Sequence, residues 1–80
     1  MRLKCYFLME GPGPSEATIG ISTADGEEEV VVHASLVQDD GLEVGRVLET
    51  RRDSALIELP REAASGRWRV WVAQSELTSA

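Results

Sequence analysis

The 80-residue sequence has one cysteine, Cys5, and no asparagine. A lone thiol cannot close an intramolecular disulfide, so no covalent staple supports the fold and nothing points to an oxidising compartment. Without asparagine there is no N-glycosylation acceptor. Aromatic residues are few: Tyr6, Phe7, Trp68 and Trp71. No apolar run approaches the ~18 residues that suggest a membrane span. The N-terminal "MRLKCYFLMEGPGPS" lacks the clean apolar stretch and small-residue cleavage site of a secretory signal. The expectation is a cytoplasmic protein with no membrane partner.

Positive charge is missing from one long stretch. Residues 16–45 carry Glu16, Asp25, Glu27, Glu28, Glu29, Asp39, Asp40 and Glu43 but no lysine or arginine. The formal net charge is −6. An acidic surface repels nucleic acid and anionic membranes over long range. Six arginines gather in residues 46–80, against five acids.

Metal-binding and catalytic constellations are also missing. Cys5 and His33 are the only thiol and imidazole, and no CxxC or HExxH spacing occurs. Glu27, Glu28 and Glu29 lack the alternating Asp/Asn spacing of a calcium loop and read as a solvated rim. Cys5 and His33 are the only thinkable nucleophile and base, and alternation puts them on opposite faces of a sheet. The prolines of "GPGP" remove donors that a phosphate nest needs. The expectation is no enzyme activity, no metal and no cofactor.

Alternation of period two is present almost throughout, which argues for strands. Leu3, Cys5, Phe7 and Met9 alternate in a first strand over residues 2–9. Ala17, Ile19 and Ile21 alternate next, then Val30, Val32, Ala34 and Leu36. Leu42 and Val44 begin another run, whose phase blurs at Gly45, a site for a bulge or bend. Ala55, Ile57 and Leu59 follow. Asp25-Gly26 and Asp40-Gly41 are hairpin signals, with glycine expected at positive φ. "PREAASG", residues 60–66, is the one helical candidate, a single turn opened by Pro60 and closed by Gly66. "AQSEL" predicts a short turn that tucks Leu77 against the end of the sheet. Residues 78–80 are expected to fray.

The expected fold is all-β: a small barrel of five or six short antiparallel strands with one short helical turn. It forms one domain over residues 1–80, with the barrel over 16–77 and the strand at 2–9 as an addition. From about residue 28 to 77, the segments "GRVLE", "ALIELP" and "RVWVAQSEL" resemble the SH3-like barrels. That resemblance implies a fold. It does not imply recognition of proline-rich peptides, because Ala34-Ser35-Leu36 stands where an aromatic would help build such a groove.

The candidate site is "SGRWRVWVAQSEL". Alternation places Trp68 with Val70 and Val72 in the core, and Arg67, Arg69 and Trp71 on the opposite face. With Arg51 and Arg52 they make a candidate partner-binding surface. Trp between arginines can stack on bases while guanidiniums meet phosphate. It can anchor a protein interface. It can also simply cover a sheet edge under the arginine stems. The expected function is a small non-enzymatic protein-interaction or accessory module, acting on an unknown protein partner or by self-association. The alternative is a nucleic-acid-associated SH3-like module that uses the Arg/Trp surface.

Overall fold

The computed structural model describes residues 1–79. The chain is all-β. Its strands are β1 (Arg2–Lys4), β2 (Tyr6–Glu10), β3 (Glu16–Thr23), β4 (Gly26–His33), β5 (Val37–Gln38), β6 (Gly41–Glu43), β7 (Val47–Arg51), β8 (Ser54–Glu58), β9 (Arg69–Ala73) and β10 (Leu77–Thr78). Two 3-10 turns, Ala34–Leu36 and Gln74–Glu76, lie between strands. Among the described residues no helix is long and apolar enough to cross a membrane.

The strands form three antiparallel sheets, ordered β10-β1-β6-β5, β2-β3-β4 and β7-β8-β9, rather than one closed barrel. One core joins them. Leu3 and Leu42 come from the first sheet, Ile19, Ile21, Val30 and Val32 from the second, and Ile57, Val70 and Val72 from the third. All nine are fully buried. Each contributes on the order of 1.5–3 kcal/mol relative to exposure. The second and third sheets also meet through a backbone bond, Ala24 N–H donating to Trp71 O at 2.8 Å, and Cys5 N–H to Asp40 O at 2.9 Å continues the β1–β6 pairing.

The expected strand over residues 2–9 is broken at Cys5. β1 enters the first sheet, between β6 and β10, while β2 pairs with β3 in the second. Leu3 and Cys5 are buried as alternation requires, but Phe7 and Met9 are 64% and 58% exposed. β2 is an edge strand of its sheet. A register shift between Phe7 and Met9 adds a bulge. Gly45 lies between β6 and β7, where the chain passes from the first sheet to the third.

Gly26 has φ +109° in the β3–β4 hairpin, as its turn requires. Gly41 does not occupy a turn position. It pairs with Gln38 and Lys4 inside β6. The two residues between β5 and β6, Asp39 and Asp40, take φ of 52° and 61° instead. A two-residue loop with both φ positive is the primed turn that matches strand twist.

"PREAASG" is not helical. Ala63 N–H donates to Arg67 O and Ala64 N–H to Glu29 O, both at 2.8 Å. Glu29 O is a long-range acceptor and Arg67 O follows its donor in the chain, so neither is the carbonyl of a helical turn. The one backbone bond within the segment, among the described residues, is Gly66 N–H to Ala63 O at 2.8 Å. Gly66, at φ +94°, reverses the loop. Thr78, expected to fray, pairs with Arg2, and residue 80 lies outside the described residues. The Gln74–Glu76 turn leads into β10 and packs Leu77 against the core.

Candidate protein-interaction surface

Two surfaces carry the exposed aromatic and arginine side chains. The first is the outer face of β7-β8-β9. The register places Trp71 opposite Leu56 and Arg69 opposite Glu58. Leu56 in turn faces Glu49, and Ser54 faces Arg51. The Arg51 guanidinium lies 4.4 Å from the Trp71 ring centre, a cation–π contact that also covers the half-buried indole.

Both arginines of the strands on this face also have a carboxylate nearby. Arg51 Nε lies 3.4 Å from Glu49, and Arg69 Nε 3.5 Å from Glu58. Arg67 does not join them, because it precedes β9. Its Nη1 donates to Asp25 Oδ2 at 2.6 Å, and its Nε lies 3.9 Å from the largely buried carboxylate of Glu28. The Asp25 hydrogen bond is the main influence that raises the Arg67 pKa. Arg52 sits in the β7–β8 turn at φ 40°, and its carbonyl accepts from Gln74 Nε2 at 2.7 Å. The predicted five-residue surface therefore divides into an Arg51–Trp71–Arg69 cluster, a turn residue and a tie to the β3–β4 hairpin.

The second surface lies on β2-β3-β4. Tyr6, Phe7, Leu8 and Met9 are all exposed in succession on the edge strand. Among the described residues no strand pairs with the outer side of β2. Residues directly opposite in a sheet share a face. Met9, Thr18 and Val31 therefore form one row across the outer face, and Tyr6, Gly20 and Glu29 form the next. The Tyr6 hydroxyl donates to Glu27 Oε1. That bond raises the Tyr6 pKa and lowers the Glu27 pKa.

Trp68 belongs to this second surface. Alternation puts it in the core, but it is 51% exposed. It precedes β9, at a bend where its carbonyl accepts from Leu59 N–H at 2.8 Å. Leu59 and Ala63, from the same connection, enter the core instead. With Thr18, Val31, Ala64, Arg61, Glu62 and Glu29, Trp68 lines a groove of about 360 Å³. Arg61 Nη1 donates to Glu16 Oε2 at 2.6 Å, which compensates its charge. Glu29 and Glu62 have no ion pair among the described residues.

Cys5 and His33 are not assembled into a site. Cys5 is buried, and burial first, then Asp40, raises its pKa. His33 is exposed, with Nδ1 2.7 Å from Ser35 Oγ. The second surface was partly visible in the sequence. "YFLM" is a continuous apolar run, not an alternating one, and continuity in a short strand signals that both faces carry apolar side chains. Nothing local marked Trp68 as exposed. Comparison with family models, curated proteins and solved structures finds no match to this chain.

Proposed function

We propose that the protein is a non-enzymatic binding module that engages another protein through β2 and the outer face of β2-β3-β4. One observation carries this reading: four consecutive apolar side chains, Tyr6 to Met9, stand exposed on an edge strand whose outer side has no partner among the described residues. Natural proteins usually blunt such edges, and contiguous exposed apolar surface marks an interaction site. The bulge between Phe7 and Met9 bends the strand and limits uncontrolled pairing. Segments of a partner can add to such an edge by backbone pairing, with side-chain contacts giving specificity.

The nucleic-acid alternative is less favoured. Arg51, Arg67 and Arg69 each face a carboxylate of the same chain. Phosphate binding needs uncompensated cations. We also read the architecture over residues 16–77 as an opened SH3-like barrel, with the segment at residues 2–9 as an addition to it. The passage of the chain between two sheets at residues 44–46 and the 3-10 turn before β10 support that reading. A single buried thiol supports action in the reducing cytoplasm.

The test is site-specific photo-crosslinking in the native cell, with a photoreactive side chain at Leu8 and a control at Thr50. A discrete protein adduct is expected at position 8, insensitive to nuclease and lost with Phe7→Glu plus Met9→Glu. Adducts of equal yield at both positions, or adducts removed by nuclease, would overturn the reading.

A further inference from the structure

We propose that the groove beside Trp68 receives a lysine or arginine side chain from an extended segment of the partner protein, with an apolar residue two positions away packed on Met9 and Val31. The inference deepens the proposed function and rests on it.

The groove combines an apolar floor with an unbalanced rim. Val31, Ala64 and the exposed half of Trp68 supply apolar surface. An indole face attracts a cation, more so with guanidinium than with ammonium. Glu29 and Glu62 line the same groove without an ion pair of their own among the described residues. The one cation in the lining, Arg61, is held by Glu16. An incoming positive charge therefore meets two free carboxylates and an aromatic face. An incoming carboxylate meets repulsion, from these residues and from a chain of net charge −6.

The neighbouring row extends the match. Met9 and Thr18 are paired across β2 and β3, and Thr18 and Val31 across β3 and β4. A segment laid over this row presents alternate side chains to one face. One basic residue in the groove thus places the residue two positions away over apolar surface. A second copy of this chain is a poorer occupant, because it is itself acidic and four of its eight cations, Arg51, Arg61, Arg67 and Arg69, already face carboxylates of their own chain. Arg2 itself donates to Gln38 at 2.9 Å.

The experiment titrates the isotope-labelled full chain with acetyl-Leu-Ser-Arg-Ser-Leu-amide and follows the Trp68 indole N–H, with the backbone amides of Val31 and Ala64 as the signals common to every variant, by NMR. The counterpart peptides with glutamate or glutamine in place of arginine serve as comparisons. Saturable shifts are expected with the arginine peptide alone. Affinity should fall by about tenfold or more with Glu29→Gln plus Glu62→Gln, in line with loss of two charge contacts to a cation. Trp68→Ala should weaken binding comparably, and Arg51→Ala should leave it unchanged. Both Trp68 and the two glutamates are exposed, so an unaltered unfolding midpoint verifies that each variant is folded. Equal binding of the glutamine peptide, or full affinity in the Trp68→Ala variant, overturns the cation site. So does concentration-dependent dimerisation that shifts the Trp68 signal without peptide. If the Leu8 crosslink persists in such a case, the binding-module reading stands and only the occupant of the groove is wrong.

Discussion

The Tyr6 ring lies across Gly20, occupying the space where a Cβ on that glycine would fall. The two residues face each other across β2 and β3. Gly20 is buried under the ring, and the ring reaches over it to Glu27. Glycine is required here for close approach, not for an unusual φ. Gly20→Ala is expected to destabilise the fold by about 1–3 kcal/mol, the usual range for overpacking. In a Tyr6→Ala background the same change should cost far less, because the overlapping atoms are gone. Urea unfolding of the four proteins of that cycle measures the difference.

Tyr6 is the only tyrosine, so its titration can be followed directly. Its hydrogen bond to Glu27 raises its pKa above 10.0, and the same bond lowers Glu27 below 4.5. A raised tyrosine pKa means that the contact stabilises the fold below the unfolded value and is lost as pH rises through the folded value. A lowered carboxylate pKa means that it is present above the unfolded value and lost as pH falls through the folded one. The contact therefore operates from the acid side of 4.5 to the alkaline side of 10.0. Phenolate absorbance should give a midpoint above 10.0 that returns toward 10.0 in Glu27→Gln. An unchanged midpoint in that variant would show that Glu27 is not the cause.

The two tryptophans should respond to truncation in the order of their burial. Trp68 is half exposed, and Trp68→Ala is expected to change stability by no more than about 1 kcal/mol. Trp71 is partly buried between Leu56 and the Arg51 guanidinium. Trp71→Ala should cost about 1–3 kcal/mol, less than a fully buried tryptophan. Thermal melts of the two variants decide the order.

The β5–β6 turn offers a gain. Asp39 and Asp40 both hold positive φ, a region where aspartate is tolerated and glycine is favoured at the second position. Replacing the pair by Asn-Gly should stabilise the fold by about 0.5–1 kcal/mol. Gly41→Ala should do the opposite for a different reason. Its Cβ would fall 3.1 Å from Arg2 Cδ and 3.3 Å from Gln38 O. A rise in unfolding midpoint for Gly41→Ala would contradict the packing of β1 on β6.

Arg67 and Arg69 should separate in their effects. The Arg67 guanidinium reaches Glu28, whose side chain is only 9% exposed, whereas the Glu58 partner of Arg69 is 50% exposed. Removing a partner from a buried carboxylate costs more than removing one from a solvated pair. Arg67→Ala should therefore lower the unfolding midpoint more than Arg69→Ala, and Glu28→Gln should narrow the gap.

Much of the strand layout was legible in the residues. Ile19, Ile21, Val30, Val32, Ala55, Ile57, Leu59, Val70 and Val72 alternate, and all are buried. Asp25-Gly26 marked its hairpin because a turn at positive φ is a local steric demand. The Cys5 break was not legible, since the odd-numbered set Leu3, Cys5, Phe7 and Met9 runs apolar straight through it. Phe7 faces Ile19 from an edge strand, while the register shift between Phe7 and Met9 turns Met9 to the outer face opposite Thr18. The candidate site was legible in part. Trp71 and Arg69 lie on one outward face as alternation requires, while Arg67 is drawn away by Asp25, a residue 42 positions earlier.

The sequence by itself determined that this chain is built of short antiparallel strands, and it determined the inward set of most of them. Alternation and turn chemistry act between residues a few positions apart, so they are written locally. The tertiary structure alone decided that the strands split into three sheets, that Ala63 and Ala64 of "PREAASG" donate to Arg67 and Glu29 rather than closing a helical turn, and that Trp68 leaves the core. Those outcomes depend on which distant backbone groups find partners and on which side chains reach the shared interior first. Leu59 and Ala63 enter it, and Trp68 is left beside the free carboxylates of Glu29 and Glu62.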